Sequence, residues 1–268
     1  MAPGTTRLDV ALVGRGLARS RTRAAELIAA GSVTVGDRLA TKPSFRVAAE
    51  DEIVVVADAD HWVGRAAGKL VGAFDAFPLD VRGRRCLDIG ACTGGFTQVL
   101  LERGAEHVIA LDVGHDQLAP EIAADPRVQD RSGTTIRGLG PADLGGPVDL
   151  TVGDLSFISL RLVLAEIAGL LTEDGEAVLL IKPQFEVGRG RLGRRGVVTS
   201  AQARVEAIGS VLGAARDAGL FVAGLAASPV LGGGGNHEYL VHLTRRTGVG
   251  MTWQAQQVMI RDLVQEEV

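Results

Sequence analysis

The sequence predicts an α/β chain: a Rossmann-like sheet of seven strands, the last antiparallel, preceded by a small α+β domain. Three observations carry this expectation. Residues 86–97 (Cys-Leu-Asp-Ile-Gly-Ala-Cys-Thr-Gly-Gly-Phe-Thr) read as a strand end, a small-residue loop and the start of an amphipathic helix. Downstream, apolar strands alternate with helical stretches, the pattern of a parallel sheet covered by helices. Upstream of residue 50 the basic residues Arg7, Arg15, Arg19, Arg21, Arg23, Arg38, Lys42 and Arg46 face only the acids Asp9, Glu26 and Asp37. A polar joint near residues 58–64 separates the two patterns. Residues 1–58 and 65–246 are therefore expected to be domains, with 59–64 as linker and 247–268 as a tail.

The N-terminal elements follow from spacing. Leu8, Leu12 and Val13 share a helical face, and Gly16 can stop that helix. Ser20 is a plausible N-cap for a second helix through Ala24, Leu27 and Ile28, ending at Gly31. Val33-Thr34-Val35, a turn at Gly36-Asp37 and Leu39 suggest a hairpin. A Val-rich strand, Ile53-Val54-Val55-Val56, follows an acidic cluster. The arginines here read either as a solvated face or as a phosphate-tracking patch.

In the larger domain a helix around Lys69–Phe74 leads to the sheet. Strands are expected at 85–89, 107–112, 128–130, 149–155, 177–182, 222–229 and 238–244, and helices beginning near Thr93, Ser159 and Ala201. Gly232–Gly235 supplies a turn that can return the last strand antiparallel. The tail, with Trp253, Val258 and Leu263, is amphipathic: either a docking helix or a frayed end.

The glycine loop narrows the ligand. Dinucleotide binders carry G-x-G-x-x-G; here the spacing is G-x-x-x-G-G, and an acid, Asp88, precedes it. An acid there repels a pyrophosphate and suits a cationic amino-acid moiety such as that of S-adenosylmethionine. Gly90, Gly94 and Gly95 let backbone approach the ligand, and the helix start at Thr93–Phe96 offers free N–H groups. Asp112, closing the next strand, sits where ribose hydroxyls are read. Asp88, Gly90, Cys92, Thr93, Gly94, Gly95, Phe96, Asp112 and Asp154 are the candidate cofactor residues. Cys86 and Cys92 lack metal-ligand spacing and read as small buried fillers.

Asp154 and Lys182 close neighbouring expected strands at the same sheet edge. Lys69 opens the preceding helix, and Glu238 begins the last strand. Lys-Asp-Lys-Glu in that order resembles the tetrad of FtsJ-like ribose 2′-O-methyltransferases. The N-terminal pattern, Arg7-Leu8-Asp9-x-x-Leu12 through Gly31-x-Val33-x-Val35 and Lys42-Pro43-Ser44, resembles the S-four-type RNA-binding module. Together with Gln184-Phe185-Glu186-Val187-Gly188 and Leu192-Gly193-x-x-Gly196-Val197-Val198, nearly the whole chain resembles the TlyA (hemolysin A) family.

That resemblance implies a ribosomal-RNA cytidine 2′-O-methyltransferase using S-adenosylmethionine, with Lys69, Asp154, Lys182 and Glu238 catalytic, Lys182 the candidate proton acceptor, and no metal. It implies RNA contacts from Arg7, Arg19, Arg21 and Lys42. The basic loop Arg189, Arg191, Arg194 and Arg195 lies directly after Lys182 and reads as an RNA clamp; Arg65 at the joint joins the candidates. Phe96 and Phe157 are expected in the core, with Phe185 the candidate stacking ring. Ribosomal RNA or a ribosomal subunit is the expected partner. No apolar run of membrane-spanning length and no apolar leader is seen, so a cytoplasmic protein is expected. The alternatives are a non-catalytic RNA-binding assembly factor, a base methylase of the same fold and a membrane-active hemolysin.

Overall fold

The computed structural model describes residues 5–265 except 30, 31, 37, 56–60, 194 and 195, and leaves the side chains of 39, 189 and 233 undescribed. The chain forms two compact units, residues 1–65 and 66–268.

In the first unit β1 (Thr6–Arg7) runs directly into α1 (Leu8–Gly14). Gly16 follows at φ +69°, the left-handed conformation that ends a helix without a Cβ penalty. The Ser20 hydroxyl accepts the Arg23 N–H at 3.1 Å and so caps α2 (Arg21–Ala29), as the sequence predicts. The expected end of that helix at Gly31 lies outside the described residues. β2 (Val33–Val35) and β3 (Arg38–Leu39) form the expected hairpin, Val35 opposite Arg38. Asp37 of its turn also lies outside the described residues. β4 (Arg46–Val47) pairs with β1, and β5 (Ile53–Val55) with β2, both antiparallel. Leu8, Leu12, Leu27, Ile28 and Val33 close the core.

The second unit begins with α3 (Ala67–Ala76). There follow β6 (Arg85–Ile89), α4 (Gly95–Glu102), β7 (His107–Asp112), α5 (Pro120–Ala123), β8 (Val128–Ser132) and β9 (Val148–Gly153). The chain continues through α6 (Leu164–Leu170), β10 (Leu171–Ile181), α7 (Pro183–Glu186), α8 (Ala201–Asp217), β11 (Phe221–Ala227), β12 (Tyr239–Thr244) and α9 (Trp253–Gln265). The sheet order is β11-β12-β10-β9-β6-β7-β8. β12 runs antiparallel to both neighbours, and the other pairs are parallel. From β6 the chain winds outward to β8, then returns to place β9 on the other side of β6. That reversal opens a crevice at the carboxyl ends of β6 and β9.

Several boundaries differ from expectation, for local reasons. β9 stops at Gly153 and β10 at Ile181, so Asp154 and Lys182 lie just past their strands. Lys182 precedes Pro183, which has no N–H for a ladder and restricts the residue before it. β12 starts at Tyr239, leaving Glu238 just before it. β8 extends to Ser132, opposite Asp112. β11 ends at Ala227, where the Ser228 hydroxyl bonds the Val230 carbonyl at 2.8 Å and turns the chain. β10 starts early, at Leu171, with an irregular register before Glu176. Helix α4 begins at Gly95 rather than Thr93, because Gly94 takes φ +90°. Ser159 caps a short 3₁₀ turn, Leu160–Leu162, instead of an α-helix.

The tail forms a docked helix. Ile260 and Val264 of α9 are buried in the same cluster as Ile208, Leu212 and Leu225 of α8 and β11. Helix α8 is itself capped: the Ser200 hydroxyl accepts the Ala203 N–H at 3.2 Å. Replacing Ser200 with Ala leaves that donor unsatisfied and is expected to cost about 1 kcal/mol. In a unit of this size that lowers Tm by about 2–4 °C. Thermal unfolding with an unchanged Tm would show that the cap carries no weight.

Candidate active site

The floor of the site is the loop after β6. Gly90 sits at φ +81°, and a Cβ there would lie 3.2 Å from the Asp154 carbonyl oxygen. Gly94 sits at φ +90°, where a Cβ would lie 2.9 Å from the Ile122 side chain. Only glycine accommodates both the angle and the crowding. No side chain caps α4 at Gly94, so the Gly95 and Phe96 amides of its first turn are left for a ligand, while the Thr97 amide is taken by Asp88. Phe96, in that turn, is buried; its backbone, not its ring, is what it can present.

Asp112 holds this loop in shape. Its Oδ2 accepts the Cys92 N–H at 2.9 Å, and its Oδ1 accepts the Gly114 N–H at 2.8 Å. Each oxygen retains a lone pair for a ribose hydroxyl. Cys86 is buried, and burial pushes its thiol up to about 12. Cys92 is not the buried filler expected: it is exposed at the loop tip, at φ +47°. Its left-handed backbone turns this side chain outward, while its neighbour Ala91 is buried. Thr93, half-buried, accepts the Ala119 N–H on its carbonyl at 3.1 Å.

Asp88 lies beneath the loop, fully buried. Thr97 of α4 donates to its Oδ2 at 2.7 Å, while Oδ1 has no partner. Burial pushes the carboxyl up to about 7, against the opposing Thr97 bond. A half-satisfied buried acid under a glycine loop whose own amides are already bonded to Leu111, Ala91 and Asp112 suits a cationic, hydroxyl-bearing ligand, and S-adenosylmethionine is both. The residues present therefore fit that cofactor. Gly90 and Gly94 would cradle it, Asp112 would take its ribose, and Asp88 would balance its positive charge from below.

Above the loop, four side chains form one continuous chain of ion pairs. Glu238 Oε2 meets Lys69 Nζ at 2.7 Å, and Lys69 Nζ meets Asp154 Oδ2 at 3.0 Å. Asp154 Oδ1 meets Lys182 Nζ at 2.7 Å. The sequence-predicted residues Lys69, Asp154, Lys182 and Glu238 thus come together. Burial alone would raise the Asp154 carboxyl, but the charges of Lys182 and Lys69 outweigh it, and the net shift is downward. Removing either lysine leaves a buried acid short of its partner, a loss of about 3–5 kcal/mol.

Sequence reasoning missed the residues that complete this cluster. Lys182 Nζ also donates to Ser156 Oγ at 2.8 Å. Gln184 Nε2 donates to Glu238 Oε1 at 2.9 Å. Both lie two positions past a tetrad member, the signal that was available. Gly232 leaves room for Glu238: a Cβ there would lie 2.1 Å from Oε1. Asn236 ties the loop before β12 to the basic loop, accepting from Val198 N at 3.0 Å and donating to Gly196 O at 3.1 Å.

Phe157 is a correction. It is 91% exposed and takes φ +65°, not a core position. A bulky residue in left-handed conformation is strained, and such strain clusters at functional sites. Its ring lies 5.3 Å from that of Phe185, and Lys182 Nζ lies 5.9 Å from the Phe185 centroid.

The basic residues behave less simply than a free patch. Asp9, held down to about 2 by Arg7 despite burial, and by Arg21, pairs with both at 2.9 Å. Arg19 donates to the Val63 carbonyl at 2.9 Å. Lys42 and Arg65 are exposed. Arg191 pairs with Glu206 at 2.5 Å, so it is anchored to α8. Arg189 lies in a 3₁₀ turn with its side chain undescribed, and Arg194 and Arg195 lie outside the described residues.

Fold and site define an S-adenosylmethionine-dependent methyltransferase. Residues 62–245 match the FtsJ-like methyltransferase family and residues 6–53 the S4 domain. The chain is 50% identical to the Mycobacterium tuberculosis 16S/23S rRNA (cytidine-2′-O)-methyltransferase TlyA over 90% of each chain. It is 35% identical to Hemolysin A of Brachyspira hyodysenteriae over 88% of this chain and 98% of that protein. A solved Streptococcus thermophilus structure carrying a hemolysin label matches with a TM-score of 0.77 and 34% identity, covering 99% of this chain and 96% of that one. The chain belongs to the TlyA family of FtsJ-like methyltransferases. Among the described residues no helix is long and apolar enough to cross a membrane.

The state of Asp88 is open to measurement. Its folded-state value lies above the unfolded one, so the folded protein binds the extra proton. Stability is therefore lost as pH rises from about 4 toward 7, by an amount on the order of a few kcal/mol. Asp88→Asn removes the titration. Its stability relative to wild type, from denaturant midpoints, is expected to improve from pH 5 to pH 8. A difference independent of pH would contradict the assignment.

Proposed function

We propose that the chain methylates the 2′-hydroxyl of a cytidine in ribosomal RNA, in the cytoplasm, with Lys69, Asp154, Lys182 and Glu238 as its catalytic set. The observation that carries this reading is the shared Asp154 carboxylate, which holds two lysines at the edge of the glycine loop. The M. tuberculosis relative's name supports the substrate and the position of methylation.

A ribose hydroxyl is a weak nucleophile, so it must be aligned and must lose its proton. Bound S-adenosylmethionine supplies an electrophilic methyl group. Lys182, as the neutral amine, is the proton's destination. Lys69 supplies positive charge and stabilises the developing alkoxide. Asp154 and Glu238 fix the two amines in place. The exposed Phe157 ring beside Phe185 suits a platform for the base of the target nucleotide.

In this reading residues 1–58 are the RNA-binding domain, 59–64 the linker, 65–246 the methyltransferase domain and 247–268 the tail. Arg7 and Arg21 contact RNA as a pair oriented by Asp9, with Arg19, Lys42 and Arg65 alongside. Arg189, Arg191, Arg194 and Arg195 follow the Lys182 strand and clamp RNA near the site.

Lys182→Met, which keeps the apolar stem, is expected to lower kcat by about 10²–10⁴-fold while S-adenosylmethionine and RNA binding persist. Nucleoside mass spectrometry of RNA treated with the wild-type protein is expected to give 2′-O-methylcytidine. A methyl group on the base, or a Lys182 variant of undiminished rate, would overturn the reading.

A further inference from the structure

Lys182 and Ser156 touch but differ in access. The Lys182 side chain is 8% exposed, whereas Ser156 is exposed. Lys182 Nζ has three polar neighbours: Asp154 Oδ1 at 2.7 Å, Ser156 Oγ at 2.8 Å and the Asp154 carbonyl oxygen at 3.5 Å. Ser156 Oγ and the Asp154 carbonyl accept from Nζ, and Asp154 Oδ1 lies beside it as the ion-pair partner, an arrangement that suits an ammonium. A neutral amine has two protons and a lone pair, and the lone pair needs a donor. The two Asp154 oxygens can only accept. Ser156 can do both, since rotation of its hydroxyl reverses the bond. Among the described residues no acceptor is assigned to the Ser156 proton in the resting arrangement.

We propose that Ser156 is a catalytic residue, relaying the proton between the ribose 2′-hydroxyl and Lys182. The proposal rests on the ribose-methylation reading above. Before the step the Lys182 ammonium releases one proton to solvent and becomes the neutral amine; the 2′-oxygen then loses its proton to Ser156 Oγ as the original Ser156 proton passes to Lys182 Nζ. The freed electron pair on the 2′-oxygen forms the bond to the methyl carbon. The methyl–sulfur bond breaks with its pair retained on sulfur, leaving S-adenosylhomocysteine. Lys182 ends as an ammonium, again donating to Ser156 and Asp154, and Ser156 is regenerated. The buried lysine thereby acts on a substrate through an exposed neighbour 2.8 Å away.

The test uses the full chain with ribosomal RNA and S-adenosylmethionine. Ser156→Ala is expected to lower kcat by about 10²-fold, within the range for loss of a proton-transfer group. Calorimetry with S-adenosylmethionine and filter binding of RNA are expected to match wild type. Ser156→Thr, which keeps a hydroxyl, is expected to recover most of the rate. Single-turnover rates in mixed light and heavy water are expected to show two transferring protons in wild type and one in Ser156→Ala. A wild-type ribose methylase indifferent to Ser156→Ala overturns the relay alone. Equal loss in the Ala and Thr variants, with weakened RNA binding, also overturns it by showing a contact role. Methylation of the base by the wild-type protein overturns the parent reading and the relay together.

Discussion

Asp154 is one carboxylate with two lysines. Each of its oxygens faces a different ammonium, Lys69 at 3.0 Å and Lys182 at 2.7 Å, and Glu238 closes the chain on Lys69. Taking such charges out of water costs several kcal/mol per ion, which mutual attraction offsets only if the geometry is kept. Two cations and two anions make a balanced set. The cluster is therefore stable as a unit and intolerant of partial loss, and the surrounding loops are arranged around that requirement.

Those loops are fastened from outside the cluster. Glu186, buried four residues past Lys182, accepts from Ser159 Oγ at 2.5 Å and Leu160 N at 2.7 Å. That ties the segment bearing Asp154, Ser156 and Phe157 to the segment bearing Lys182, Gln184 and Phe185. Asn236 ties the Glu238 loop to Gly196 and Val198. Pro183 ends β10 where Lys182 must leave the ladder. The strained backbone of Phe157 is tolerated because both sides of its turn are held. The result is a rigid rim at the carboxyl ends of β9 and β10.

The glycine loop was legible because a left-handed backbone leaves a mark in residue type: Gly90 and Gly94 stand at φ +81° and +90°. That the sheet is largely parallel and covered by helices was legible from alternation, and the four charged residues through the resemblance of their order to that of FtsJ-like enzymes. That Lys69 and Glu238 meet across 169 positions depends on β12 inserting beside β10, which no local pattern encodes. Phe157 was misread because an aromatic residue defaults to burial, and exposure is set by the turn it occupies. Cys92 failed for the same reason. The pairing of Arg7 and Arg21 on Asp9 depends on how α1 and α2 pack, so an apparent free basic patch proved partly neutralised. Strand ends shifted where Pro183 and Ser228 acted locally.

The central claim, that one carboxylate immobilises both amines, is open to nitrogen-detected NMR of the lysine ammonium groups. In wild type the Lys69 and Lys182 signals are expected to be protected from rapid proton exchange. Asp154→Asn is expected to remove both together, and Glu238→Gln to affect that of Lys69 alone. A Lys182 signal unchanged in Asp154→Asn would contradict the account.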